Sequence, residues 1–222
     1  MKIIGVNTDT LYDFMRDDDS FKGALSVPGA RAIEPNLERL TELFERRGIQ
    51  VINLADQHTE QSEEISTTPD YKTTYNMHCK RGTKGTQFVP ASDPKDPYIL
   101  DYTDAGFDPE RVRSTRNIVL YKDHFDAFHG PPQSPHAEGV VQAISPDAAI
   151  IYGVATDVCV DYAVIGFARR VGHVYVVDDA IKELPYRPLE ETLDRWDRIE
   201  NVSRIKTADV ERIIEESEVY TR

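Results

Sequence analysis

Short apolar runs rich in β-branched residues alternate along the chain with longer amphipathic stretches, and this alternation predicts an α/β domain built on a mostly parallel sheet. Strands are predicted at Lys2 to Val6, Gln50 to Ala55, Asn117 to Tyr121, Ala148 to Val154, His173 to Asp178 and Val202 to Lys206. Each is too apolar to alternate, as expected where helices cover both faces of a sheet. The stretch Ala30 to Arg47 places Ile33, Leu37, Leu40, Leu43 and Phe44 on one helical stripe, with Gly48 as its stop. Further helices are predicted at Pro135 to Ile144, Val158 to Arg170, Pro188 to Ile199 and Ala208 to Glu218. The fold class that follows has three layers and is Rossmann-like, with about six mostly parallel strands between two layers of helices.

Residues 57 to 116 break the rhythm. They are polar, rich in Thr, Pro, Asp and Lys, and hold at most one short strand near Tyr98 to Leu100. So long a loop in a compact domain is usually functional. The expected organisation is one domain over 1–222 with a functional loop insertion at about 57–116. The cluster Arg16-Asp17-Asp18-Asp19 reads as a solvated turn, and Trp196 as core packing.

Charge and composition remove several function classes. The 222 residues carry 26 Lys and Arg against 39 Asp and Glu, a net charge of −13, whose field repels phosphate backbones and anionic membranes. The longest apolar run, Ala148 to Ala155, falls far short of the roughly 20 residues of a membrane span. The run Ile3-Ile4-Gly5-Val6 ends at Asn7, before it could act as a signal peptide. A cytoplasmic protein is expected, with neither nucleic acid nor membrane as a partner. The two cysteines, Cys79 and Cys159, make no disulfide framework and should be free thiols.

In an open parallel sheet, ligands bind outside the carboxyl ends of the strands. Asp9 follows the first predicted strand, Asp56 and His58 the second, Lys122 the third and Cys159 the fourth. A base, a metal-ligand pair, a cation and a thiol are thus expected along one edge. A lone cysteine is more often a small buried hydrophobe than a nucleophile. Cys159, however, sits where a strand turns into a helix, in Gly153-Val154-Ala155-Thr156-Asp157-Val158-Cys159, and a helix start lowers a thiol pKa and favours the thiolate. Cys79 lacks such a setting and reads as structural. His124, His129, His136 and His173 show no partner arrangement and read as incidental.

The segment 153 to 160, the opening Asp9 through Tyr12-Asp13-Phe14-Met15, and Asp56-Gln57-His58 together resemble the isochorismatase-like cysteine hydrolase superfamily, and within it the nicotinamidase (pyrazinamidase) branch. The likeness runs in order over nearly the whole chain. It implies a catalytic triad of Asp9, Lys122 and Cys159, and an oxyanion hole from the backbone N–H groups of Ala155 and Cys159, beside a cis peptide bond between Val154 and Ala155. It further implies one divalent metal ion, zinc first with manganese or iron as alternatives, held by Asp56, His58, Glu64 and His78. Phe14 and Tyr75 match positions flanking the ring pocket of nicotinamidases. One departure stands out: where family members usually carry Asp-Val-Gln or Asp-Thr-Gln, this chain has Asp9-Thr10-Leu11, which removes a polar side chain near the triad.

The expected activity is metal-assisted hydrolysis of a small carboxamide, nicotinamide to nicotinate and ammonia, through a thioester on Cys159. Two rivals are a metal-free amidase of the same superfamily acting on a ureido or carbamoyl compound, and a catalytically silent binding protein of the same fold. An isochorismatase proper often lacks the cysteine, so Cys159 argues against that activity. The expected partners are the small amide and further copies of the chain in a homo-oligomer.

Overall fold

The computed structural model describes residues 1–129 and 136–219. In chain order its elements are β1 (Ile3–Thr8), α1 (Tyr12–Met15), β2 (Asp17–Asp18), β3 (Phe21–Lys22), α2 (Glu34–Arg47), β4 (Gln50–Asp56), β5 (Tyr98–Leu100), α3 (Pro109–Ser114), β6 (Asn117–Lys122), α4 (His136–Ile144), β7 (Ala148–Val154), α5 (Cys159–Ala168), β8 (His173–Lys182), α6 (Leu189–Asp197), β9 (Val202–Ile205) and α7 (Thr207–Val219). Seven strands make one sheet in the order β5-β6-β4-β1-β7-β8-β9, every neighbouring pair parallel.

The central strands β1 and β7 are buried at every position, which explains why their sequences do not alternate. One face packs against α2 and α7, where Leu37, Leu40, Phe44 and Ile214 meet Val51 and Ile150. The other packs against α4, α5 and α6, where Val140, Val164 and Trp196 meet Ile52, Ile118 and Ile151. Each such fully buried side chain contributes about 1.5–3 kcal/mol by leaving water. The α2 helix ends where expected: Gly48 takes a left-handed conformation at φ 69° and its N–H returns to the carbonyls of Glu45 and Phe44.

Several boundaries differ from expectation for physical reasons. The sheet has seven strands rather than about six, because Tyr98–Leu100 pairs along β6 as an edge strand. Ala30–Ile33 is a tight 3₁₀ turn, so the α-helical stripe begins only at Glu34. The loop region also holds α3, whose Asp108 side chain accepts from the N–H groups of Glu110 and Arg111 ahead of Pro109. With only Val112 buried, α3 has no apolar stripe to announce it. The Arg16–Asp19 cluster is a solvated turn only in part: Asp17 and Asp19 are exposed and the chain turns at Asp19–Ser20 between β2 and β3, but Arg16 is buried in an ion pair with Glu34. The predicted start of α4 at Pro135 lies outside the described residues.

After β1 the chain proceeds to β4, β5 and β6 on one side, and β7 then returns to the other side of β1. The strand order therefore reverses at β1, and the crevice beyond its carboxyl end is where such a sheet receives a ligand.

Candidate active site

Register brings the strand ends together. Thr8 of β1 lies level with Leu54 of β4 and Gly153 of β7, so Asp9, Asp56 and the turn after β7 emerge side by side. Asp56 and Lys122 are direct cross-strand partners at the ends of β4 and β6. Gly153 permits the approach, since at φ 119° an added Cβ would fall 2.0 Å from the Thr8 carbonyl oxygen. The Val154–Ala155 peptide is cis, as the resemblance implies.

The Lys122 ammonium occupies the centre. It pairs with Oδ2 of Asp9 at 2.9 Å, with Oδ1 of Asp56, and donates toward Cys159 Sγ at 3.7 Å. All four side chains are buried. Asp9 Oδ1 accepts from the Asp56 N–H at 3.0 Å, which fixes the carboxylate in the crevice. Burial, with the Asp56 charge beside it, pushes the Asp9 carboxyl up to about 6, against the pull of Lys122. Burial would also raise Asp56, but Lys122 and His58 hold its carboxyl well below the usual range. Lys122 stays protonated despite burial because Asp56, Asp9 and Cys159 surround it.

Cys159 corrects one expectation. Its thiol is raised well above the ordinary value rather than lowered: burial dominates, Asp9, Asp56 and Glu64 add to it, and only Lys122 favours the thiolate. The resting group is a thiol, and the Asp9 carboxyl lies within 4.8 Å of it. The N–H groups of Ala155 and Cys159 enter no backbone hydrogen bond among the described residues.

Beside this triad, Asp56, His58 and His78 bring ligand atoms within 4.8 Å of one another. The division of labour on Asp56 is clear: Oδ1 goes to Lys122, while Oδ2 lies 3.6 Å from His58 Nε2 and 4.0 Å from His78 Nε2. His78 Nδ1 hydrogen-bonds the Asn76 carbonyl at 2.7 Å, which turns Nε2 toward Asp56. Burial and the neighbouring His58 lower His78 to about 4, so the ring is neutral, the form that binds metal. Both ring nitrogens of His58 are buried without a hydrogen-bond partner. A carboxylate and two imidazoles with orphaned atoms fit a divalent transition metal.

Glu64 stands outside that three-residue cluster. Its Oε1 accepts from the Phe125 N–H at 2.5 Å and lies 3.7 Å from His124 Nδ1, while Oε2 is buried without a partner. Burial and the Asp56 charge push its carboxyl up to about 9. The other histidines are not partnerless: His124 stacks on His129 with centroids 3.9 Å apart, His136 Nε2 meets the Asp101 carbonyl at 2.7 Å, and His173 Nε2 meets Ser203 Oγ at 3.0 Å.

A small pocket over Cys159 is walled by Phe14, Tyr75, Leu25, Phe125, Val158 and Leu184, with Asp56 and His78 at its polar end. Both aromatics named from the sequence are present. Leu25, Phe125 and Leu184 were not foreseen, because each is an ordinary apolar residue in an irregular segment and only the fold brings it here. Arg187 was also missed: it donates to the carbonyls of Asp157 and Lys72, tying the segment after β8 to the loop that carries Tyr75. Leu11 is fully buried in the core and paired across a bridge with Phe88, which accounts for an apolar residue there. Cys79 is buried, and its N–H donates to Asp13, a structural role.

No curated protein sequence matches the chain. Among solved structures, the N-carbamoylsarcosine amidase of Thermoplasma acidophilum superposes with a TM-score of 0.69 at 20% identity, over 93% of this chain and 97% of that one. The pyrazinamidase/nicotinamidase of Streptococcus mutans gives 0.68 at 22% identity over 92% and 100%. The pyrazinamidase of Pyrococcus horikoshii in complex with zinc gives 0.70 at 19% identity over 93% and 99%. The isochorismatase domain family matches residues 99–196, which contain β6, β7 and the Cys159 turn. Residues 99–196 are thus similar to the isochorismatase domain family, and the whole chain shares the fold of these solved structures.

Proposed function

We propose that the protein is a cysteine amidohydrolase of small carboxamides, with nicotinamide as the leading substrate. The observation that carries this reading is the meeting of Asp9, Lys122 and Cys159 around one buried ammonium, directly beside the Asp56, His58 and His78 cluster. A silent binding protein has no need of a buried base and thiol held together at the cost of desolvating them.

In the proposed reaction the Asp9 carboxylate takes the Cys159 proton as Sγ bonds to the amide carbon. The carbonyl oxygen gains the negative charge and is met by the N–H groups of Ala155 and Cys159. Asp9 returns the proton to the nitrogen, the C–N bond breaks, and ammonia leaves a thioester on Cys159. Asp9 then takes a proton from water as the water oxygen attacks the thioester, and the acid is released as the thiol re-forms. Lys122 holds Asp9 in position and favours its ionised form. Asp56, His58 and His78 would hold the divalent ion, with Glu64 reaching it directly or through water. When bound there, the ion supplies a positive charge and an open position for a ring nitrogen or for water.

The Asp56, His58 and His78 cluster supports this reading over a metal-free amidase, and one pyrazinamidase neighbour is in complex with zinc. The test is ammonia release from nicotinamide, pyrazinamide and N-carbamoyl amino acids, with and without chelator, together with hydroxylamine capture of the acyl group. Turnover of the pyridine and pyrazine amides that chelation suppresses, with capture lost in Cys159→Ala, is expected. Turnover of the carbamoyl compounds alone, insensitive to chelator, would transfer the assignment to the rival amidase. No ammonia from any compound would leave the silent binder.

A further inference from the structure

Tyr75, one of the residues lining the pocket beside Cys159, carries a polar atom that the proposed reaction does not use. Tyr75 is 1% exposed, yet its hydroxyl has no hydrogen-bond partner among the described residues. A buried hydroxyl left unpaired is costly, and such atoms in a binding pocket are commonly those that a ligand satisfies.

The ring is held firmly. Its backbone N–H donates to the Glu64 carbonyl at 2.7 Å, and its carbonyl accepts from Ser66 at 2.9 Å, so the Tyr75 segment lies as a short bridge against residues 64–66. Phe125 meets the ring edge-on at 5.7 Å and 87°, and Tyr71 does so at 6.1 Å and 80°. Tyr186 leans on it at 6.1 Å, and Arg187 closes the same side by donating to the Lys72 carbonyl. The phenol therefore has little freedom to turn out toward water. The remaining walls are Phe14, Leu25, Phe125, Val158 and Leu184, none of which offers a polar side-chain atom. Asp56 and His78, the polar members of the lining, belong to the candidate metal cluster. Tyr75 is thus a second point of polar recognition, separate from the metal cluster and carried by an otherwise apolar wall.

We propose that Tyr75 is a specificity-determining residue: its hydroxyl hydrogen-bonds a polar atom on the acyl part of the substrate, so that the preferred substrates are planar carboxamides bearing a hydrogen-bonding ring atom or substituent besides the scissile amide. This rests on the amidase reading for the word substrate, but the recognition itself does not depend on turnover. Sites built around a buried hydrogen-bonding group reject analogues that lack its partner far more strongly than apolar pockets reject a missing methylene. An apolar wall alone would give no such preference.

The test compares the native enzyme with Tyr75→Phe, which removes one oxygen and keeps the ring packing. The probes are benzamide, its three hydroxy isomers, nicotinamide and pyrazinamide. The benzamide series has no ring nitrogen, so it separates Tyr75 from the metal cluster. At least one hydroxybenzamide should exceed benzamide in kcat/KM on the native enzyme by about tenfold or more, an advantage that Tyr75→Phe abolishes. The quantity read is the ratio of each hydroxybenzamide to benzamide on the same protein, which should fall toward one in Tyr75→Phe whatever the change in benzamide itself. Calorimetric binding of the same probes to Cys159→Ala, and to Cys159→Ala with Tyr75→Phe, gives the same comparison without chemistry. Tyr75-dependent binding with no turnover would leave the inference standing and remove the amidase reading. Turnover with a loss equal across all probes, or with none, would overturn the inference and leave the amidase. Neither binding nor turnover of any probe would overturn both.

Discussion

The Lys122 ammonium lies 2.9 Å from Oδ2 of Asp9, and neither side chain is more than 6% exposed. At that burial each charge depends on the other, because a charge stripped of its partner in a dry interior costs several kcal/mol. Asp9→Asn preserves size and some hydrogen bonding but cannot accept a proton, so kcat/KM should fall by about a hundredfold or more. Lys122→Met should be as damaging to turnover and should also destabilise, by roughly 3–5 kcal/mol, since it leaves Asp9 and Asp56 facing one another. Steady-state kinetics and urea unfolding measure the two effects separately. Nearly full activity in Asp9→Asn would end the assignment of Asp9 as the base.

The pH profile follows from the same carboxyl. Asp9 must be ionised to accept the thiol proton, and its folded value is about 6 against an ordinary 3.8, raised by burial and by Asp56. For the metal-free protein, kcat/KM should climb through about pH 6 and then level. The stability effect runs the other way. A folded state that holds its proton more tightly than the unfolded chain gains stability that is fully present below 3.8 and lost as pH rises through about 6. Asp9→Asn lacks this titration and should gain stability relative to the native protein between pH 4.5 and 7, read from urea midpoints. A divalent cation beside Asp56 favours the Asp9 carboxylate, so adding zinc should move the activity limb to lower pH.

The residues of the site differ in how openly the sequence displays them. Asp9 and Cys159 were visible because each follows an unbroken apolar strand and sits in a distinctive local run, and parallel topology then forces both to one edge. His58 follows the second predicted strand and His78 is implied by the resemblance, and the fold brings both to Asp56. What the sequence did not display depends on distance through space. The raised Cys159 thiol comes first from its burial and then from carboxylates on three other segments, against the pull of Lys122. Glu64 lies outside the three-residue cluster, with its Oε1 on the Phe125 N–H. Arg187 looks like any charged loop residue until the segment after β8 folds across Asp157 and Lys72. The edge strand β5 and the helix α3 are short, so neither has enough periodicity to stand out.

Metal retention distinguishes Asp56, His58 and His78 from Glu64. Replacing His58 by Ala removes a ligand with two orphaned nitrogens, and zinc content after dialysis against a weak chelator should fall to background. Glu64→Gln keeps the Phe125 hydrogen bond through its amide oxygen and should weaken binding only about 10- to 100-fold, the usual range for an outer partner. Elemental analysis across a chelator series measures both. Equal losses would place Glu64 among the direct ligands. In His58→Ala the substrate KM should rise more than kcat falls, since the cluster's proposed role is to position the substrate.

The last prediction concerns how close β1 and β7 must approach for the triad to exist. Gly153 has φ 119°, and a Cβ there would meet the Thr8 carbonyl oxygen at 2.0 Å and the Thr8 backbone nitrogen and carbonyl carbon at 2.8 Å. These are backbone atoms of a central strand, which cannot swing aside as the end of a flexible side chain could. Gly153→Ala therefore combines an unfavourable backbone conformation with overpacking, on the order of 3 kcal/mol or more. For a chain of this size that corresponds to a Tm lower by about 10 °C, measurable by calorimetry. Relief of the clash would have to push β7 from β1 just where Asp9 and the Cys159 turn diverge. Folded Gly153→Ala protein should consequently lose kcat at temperatures well below its own Tm, while zinc binding at Asp56, His58 and His78, on β4 and the loop after it, is retained. A variant with native Tm and native kcat would show that the crevice tolerates a wider spacing than this geometry allows.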